Sequence, residues 1–209
     1  MFYKIAICLL LLTSSVCKAQ ENGSNTRSAA DTTKDYSDLL TRLEQQASEK
    51  SHNNLGSLIL TIDFMVKTSN LTDYPKGFIP FVKIEHPEKD IKQLINKDEI
   101  VVKDDTITLL IDYPLTNECR LKINSKHGFT RGELVMEVSK AYYKLFEEEE
   151  ATATVKTIPV EKRTTVYNRN QTNGRYGIWG HDIADLMLAE IMVYKAPDGD
   201  LLLSLNIES

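Results

Sequence analysis

Three cysteines, one tryptophan and four histidines are all that this 209-residue chain holds of the residues most often recruited to redox, stacking and metal chemistry. Two of the cysteines, Cys8 and Cys17, fall within the first twenty residues, so a chain cleaved after them keeps only Cys119 and cannot close an internal disulfide. That excludes the small exported domains that depend on disulfide staples and leaves stability to the apolar core. The histidines, His52, His86, His127 and His181, stand singly, with no His-Glu-X-X-His and no cysteine pair, which excludes the common zinc patterns. No Gly-X-Ser-X-Gly elbow and no phosphate-binding Lys-Ser/Thr after a glycine loop is present. Positive charge is also short, with 25 Lys and Arg against 30 Asp and Glu. An acidic balance excludes binding built on neutralised phosphates, and so nucleic acid, and disfavours an anionic membrane surface.

What the sequence does hold begins with "MFYKIAICLLLLTSSVCKAQ", a basic Lys4, an apolar run from Ile5 to Leu12, a polar stretch and a small Ala19. That is the layout of a cleavable secretory signal over residues 1–19, and the run is far short of the ~20 residues that span a bilayer. Ser14, Ser15 and Val16 fit poorly before a lipid-anchored cysteine, so anchoring through Cys17 is the minor alternative to cleavage at Ala19. Losing Lys4 and Lys18 leaves 23 basic residues against 30 acidic ones, a net charge of about −7. The expected location is the periplasm or the extracellular space. Residues 20–35 are small and polar without apolar period and predict a disordered tether.

From residue 36 to 209 the pattern predicts one α+β domain. Leu39, Leu40, Leu43 and Ala47 mark a helix over 36–50, and "SLILTIDFMV" at 57–66 reads as a buried strand. Short strands follow at 81–85, at "EIVV" and "TITLLI" around a polar turn, and at "CRLKIN", with a proline-led helix at "PEKDIKQLIN". The clearest helix starts at Thr130, where Glu133 completes a capping box before Leu134, Val138, Ala141, Tyr142 and Leu145. It ends in Glu147 to Glu150, where the helix dipole disfavours anions, and solvation is the cheaper remedy than a bound cation. Residues 151–175 are polar and weakly patterned and predict a mobile connection, with a short hairpin through Val155 and Val166 as an option. Pro197-Asp198-Gly199 between two apolar runs predicts a closing hairpin. Such an order of elements implies a mixed or mostly antiparallel sheet with two or three packing helices. "DYPKGFIPFVKI" at 73–84 echoes "DYPLTNECRLKI" at 112–123, an echo that turn preferences explain as readily as duplication. Sequons at Asn22, Asn70 and Asn170 matter only in a eukaryotic secretory pathway.

The stretch "GRYGIWGHDIADLMLAEI" at 174–191 concentrates the chemistry. Read as a helix start, Asp182 caps, Asp185 follows in the first turn, Trp179 anchors the core, and Ile183, Leu186, Met187 and Ile191 form the packed face. The glycines Gly174, Gly177 and Gly180 would allow close approach of a ligand, but the two aspartates already occupy the place an anion would take. Read as a site, His181 with Asp182 or Asp185 is a base with its carboxylate, Tyr176 an acid, and Trp179 with Arg175 a ligand-binding wall. The missing nucleophile favours a non-catalytic exported domain binding a protein, small-molecule or glycan ligand at the cell envelope. The alternative is a small hydrolase or lyase built on His181, nearby carboxylates and Tyr176. No cofactor or metal is implied. The leader yields one expectation: the intact mass of the exported protein should begin near Gln20, and a diacylglyceryl group on Cys17 would overturn it.

Overall fold

The computed structural model describes residues 29–49, 54–163 and 169–209. The expected signal segment, residues 20–28 of the expected tether, His52 and Val166 lie outside the described residues. Chain order is α1 (Ala29–Ser48), β1 (Ser57–Asp63), β2 (Val66–Lys67), β3 (Phe78–Ile79), β4 (Val82–Lys83) and α2 (Pro87–Ile91). Then come β5 (Ile100–Val102), β6 (Thr106–Ile111), β7 (Cys119–Asn124), β8 (Phe129–Thr130), α3 (Arg131–Thr152), β9 (Met187–Lys195) and β10 (Leu201–Glu208). The fold is α+β with a mixed sheet. Its strand order is β1-β9-β10-β6-β7, with β4 also on β9; β10 runs parallel to β6 and every other pair in it is antiparallel. No described helix is long and apolar enough to cross a membrane.

Burial on both faces explains the apolar runs at the sheet's centre. On one face Ile107, Leu109, Ile111, Ile191, Val193, Leu203 and Leu205 share a core with Leu134, Val138, Tyr142 and Leu145 of α3. On the other, Leu110 and Leu202 pack with Leu55 and Tyr194. The capping box at α3 forms as its sequence implies, with Thr130 Oγ1 accepting from the Glu133 amide at 3.2 Å and Glu133 accepting from the Thr130 amide at 2.8 Å. The closing hairpin joins β9 to β10 through a turn in which Gly199 has φ 93°.

Several expectations change. The 174–191 helix does not form: Ile183–Asp185 makes one 3₁₀ turn and the chain is extended from Met187. Leu186, Met187 and Ile191 sit at helical spacing, but Leu186 and Leu188 also alternate with half-buried Met187, and pairing to β1 and β10 on both sides overrides the helical propensity of Leu, Met and Ala. Strand β1 is an edge rather than buried, with Leu58, Ile59 and Leu60 at least 41% exposed and only Ile62 buried. Helix α1 begins at Ala29, seven residues ahead of Tyr36 and inside the expected tether. The strands at 100–102 and 106–111 form, but pair with β8 and with β7 and β10, not with each other. The echoed segments land in different pairings, Lys83 opposite Met187 and Lys122 opposite Thr108.

Much of the acidic end of α3 is compensated by protein donors, while Glu147 is exposed. Glu149 is fully buried, and its carboxylate accepts from Thr172 Oγ1 at 2.6 Å and from the amides of Gly174, Tyr176 and Gly177 at 2.8, 2.7 and 3.2 Å. Any Cβ at Gly174 would lie within 2.7 Å of that carboxylate, so the approach requires glycine. Glu148 accepts from the Tyr176 hydroxyl at 2.6 Å and from Arg175 at 3.2 Å. The described parts of 151–175 are thus tied to the helix they follow. Burial alone would raise the Glu149 carboxyl; the bonds from Thr172 and the three amides outweigh it and hold the group below its ordinary value. A depressed carboxyl stabilises the fold above the unfolded value of about 4.3 and loses that contribution as pH falls through the folded one. Glu149→Gln should therefore be less stable at pH 7 by roughly 3 kcal/mol, and the gap in urea midpoint should narrow by pH 3. A gap independent of pH would refute the assignment.

Candidate functional site

Two loops running side by side build the site. At the end of β6 the chain passes through Asp112, a cis Tyr113-Pro114 bond and Leu115, and this stretch pairs with 176–180: Leu115 bridges Ile178, the Trp179 amide donates to the Pro114 carbonyl, and Thr116 donates to Gly177. Arg169 bridges Gly180 on the far side. Helix α3 supports the loop from beneath, with the Tyr142 hydroxyl donating to the Tyr113 carbonyl at 2.8 Å. The result presents Tyr113, Trp179 and His181 as one aromatic cluster, Tyr113 edge-on to Trp179 at 5.2 Å and Trp179 edge-on to His181 at 6.0 Å.

Helix α1 lies across this cluster. Leu40, its buried side chain, reaches Gly180, where a Cβ would stand 3.3 Å from Leu40 Cδ2 and φ is 69°. One turn before, the Tyr36 hydroxyl donates to the Arg169 carbonyl. One turn after, Glu44 meets His181 Nε2 at 2.8 Å and accepts from the Tyr113 hydroxyl at 3.0 Å. Tyr113 also lies 2.9 Å from His181 Nε2 and 2.7 Å from Ser209 Oγ. Beside these groups a cleft of about 410 Å³ opens between α1 and the C-terminal ends of β6 and β10, lined among others by Glu44, Ala47, Asp112, Tyr113, Asn206 and Ser209.

The residues singled out by sequence divide into three places. His181 and Trp179 belong to the cluster, but the carboxylate at His181 is Glu44, 137 residues away. Asp182 is the N-cap of the single 3₁₀ turn Ile183–Asp185, where it forms a capping box with Asp185, and its carboxylate also pairs bidentately with Arg163 at 2.6 and 3.0 Å and lies 3.8 Å from Arg169. Asp185 accepts from the Asp182 amide at 2.8 Å. Tyr176 and Arg175 bond Glu148 at the end of α3, and no hydrogen bond joins Tyr176 to His181. Glu44, Tyr113, Ser209 and Arg163 carry no local signal in the sequence; only the spacing of Tyr36, Leu40 and Glu44 on one helical face hints that Glu44 points inward.

The chemistry of the cluster follows from one nitrogen. Glu44, Tyr113 and Ser209 all approach Nε2 of His181, at 2.8, 2.9 and 3.5 Å. A carboxylate only accepts, so Nε2 carries the hydrogen and donates to Glu44. A serine triad needs the acid on one ring nitrogen and the nucleophile on the other, which this arrangement does not provide. Burial raises the Tyr113 phenol far above its ordinary value, the Ser209 hydroxyl opposes this, and the Glu44 charge adds to it, so Tyr113 keeps its proton. Among the described residues no group of three or more His, Cys, Asp or Glu is placed to hold a metal.

Trp179 is 1% exposed, and its loss should leave a cavity costing about 3–5 kcal/mol. Asp182→Ala should cost about 1.5–3 kcal/mol, since it removes a charged bidentate pair as well as the cap of a single turn, and His181→Ala about 1. Urea midpoints of the three variants give this order; an Asp182→Ala protein as stable as wild type would refute the ion-pair account.

Comparison with protein-family models, with characterised proteins and with solved structures finds no match to the chain. The functional reading rests on geometry and composition.

Proposed function

We propose that this chain is an exported, non-catalytic binding domain whose ligand occupies the cleft between α1 and the ends of β6 and β10. The observation that carries the reading is the lining: two carboxylates, Glu44 and Asp112, hydroxyls of Tyr113, Ser48 and Ser209, the Asn206 amide and an apolar floor, with no lysine or arginine among the described residues. A few polar groups over an apolar base orient a small molecule, and their charge selects among ligands. The field favours an ammonium, guanidinium or hydroxyl-rich group and repels anions. The secretory layout of the leader supports the cell envelope or its exterior as the place of action.

A second reading, a small hydrolase or lyase, draws on His181 standing with a carboxylate from a distant segment beside a cleft that also holds Asp112. It ranks lower because Nε2 already donates to Glu44 and no activated nucleophile accompanies it.

The test is a titration of the protein with ethylammonium, methylguanidinium, methyl glucoside and acetate, followed by amide NMR shifts. The cations or the glucoside should move Asp112, Tyr113 and Asn206, acetate should not, and Ala47→Phe, which fills the cleft, should abolish the shifts. Perturbation by acetate alone, or binding that survives Ala47→Phe, would sink the proposal. Hydrolysis of simple esters or glycosides that disappears in His181→Ala would instead select the second reading.

A further inference from the structure

Helix α1 touches the rest of the domain along a single stripe. Tyr36, Leu40 and Glu44 are spaced by four residues and so stack on one face, and each ends on a different partner: the Arg169 carbonyl, Gly180, and the Tyr113–His181 pair. Leu40 is the one buried side chain among the helix's described residues, with Leu39, Leu43 and Ala47 half-buried. Helix α3, of nearly equal length, buries ten residues. Such a difference in burial places the two helices at opposite ends of the range of local opening. Most helical stability in proteins comes from packing of an amphipathic face, so what holds α1 is its docking.

The chain is fixed again from Leu55, seven residues after Ser48. Leu55 is buried with Leu110 and Leu202, and Gly56 lies so close to β9 that a Cβ there would sit 2.1 Å from the Lys195 carbonyl oxygen. Motion of α1 therefore need not disturb β1. Next to the Leu40 contact at Gly180, Trp179 is buried against the Tyr113 and His181 rings with its indole N–H meeting no acceptor, and among the described residues Glu44 alone bonds Tyr113 and His181 to α1. The underlying surface is apolar and aromatic, closed by one leucine and one carboxylate.

We propose that α1 is a detachable wall: it docks and undocks as a unit while the sheet and α3 stay folded, and undocking removes Glu44, Ala47 and Ser48 from the cleft and uncovers Trp179. The cleft's role as a ligand site rests on the reading above; the movement of α1 does not. Ligand binding and α1 docking would then be reciprocally linked.

Hydrogen exchange on the full chain, without any ligand, tests this, and Trp179 is the chain's only tryptophan, so acrylamide quenching reports its cover directly. The α1 amides should exchange about 100-fold faster than those of α3 and β9, and Glu44→Ala should accelerate α1 roughly tenfold more while α3 stays within about twofold of wild type. Quenching of Trp179 should rise in Glu44→Ala and fall back towards wild type in Glu44→Gln, whose amide oxygen can still accept from Tyr113 and His181. Exchange of α1 at the rate of α3 in both proteins would overturn the proposal, as would faster exchange spread equally over α3. Because no ligand is present, a cleft that takes none of the four probes leaves the movement standing, and a static α1 leaves the cleft reading standing.

Discussion

A carboxylate with no exposure at the C-terminal end of a helix faces two penalties at once, loss of hydration and the adverse end of the helix dipole. At Glu149 both are met by four donors from residues 172–177, three of them backbone amides. Those amides have no strand partner to satisfy them, so the carboxylate and the turn complete each other. The consequence is positional. With 174–177 pinned to α3, the next residues can lie only along the Pro114–Thr116 stretch, where Ile178 and Trp179 enter the core. Trp179, Gly180 as the seat for Leu40 of α1, and His181 follow directly from that pinned turn.

The sheet supplies the second fixed point. Parallel pairing of β10 with β6 brings Asn206 and Ser209 beside Asp112 and Tyr113, so residues of both segments line one cleft. Burial of Leu109 on one face and Leu110 on the other keeps that pair rigid. The sheet's exposed edge is treated differently. Strand β1 shows Leu58, Ile59 and Leu60 to solvent, yet its register shifts between Leu58 and Leu60, and an irregular edge is a poor template for a further strand.

Legibility in the sequence tracks the range of the interactions that decide each element. The start of α3 was readable because Thr130 and Glu133 act three residues apart, and the last hairpin because Pro197-Asp198-Gly199 is its own turn. The region 182–191 was not, because its residues satisfy helical and extended periods together and the choice belongs to β1 and β10. An apolar run could not tell β1 from a central strand, since edge position is a property of the sheet. The site was least readable of all. His181 draws its partners from 137 and 68 residues away, while its sequence neighbours Asp182 and Asp185 serve Arg163 and a backbone turn.

That division of labour bears on what the cluster does. A reactive histidine needs one ring nitrogen oriented and the other facing a substrate, with a proton free to move between them. Here Nε2 is committed to Glu44, and the Tyr113 phenol is held protonated by burial and by the same carboxylate, so two donors converge on one acceptor. Proton transfer within such a set would place a hydrogen on the carboxylate that both neighbours are arranged to satisfy, and leave one of them without an acceptor. The arrangement is therefore more stable as a clasp than as a relay, and what it clasps is α1. Its charge still reaches the cleft, since Glu44 is shared between the clasp and the lining, so a cation arriving in the cleft would compete with His181 and Tyr113 for the same oxygens. If the cleft takes the proposed cation, attraction of that ligand and retention of the helix would act through one side chain.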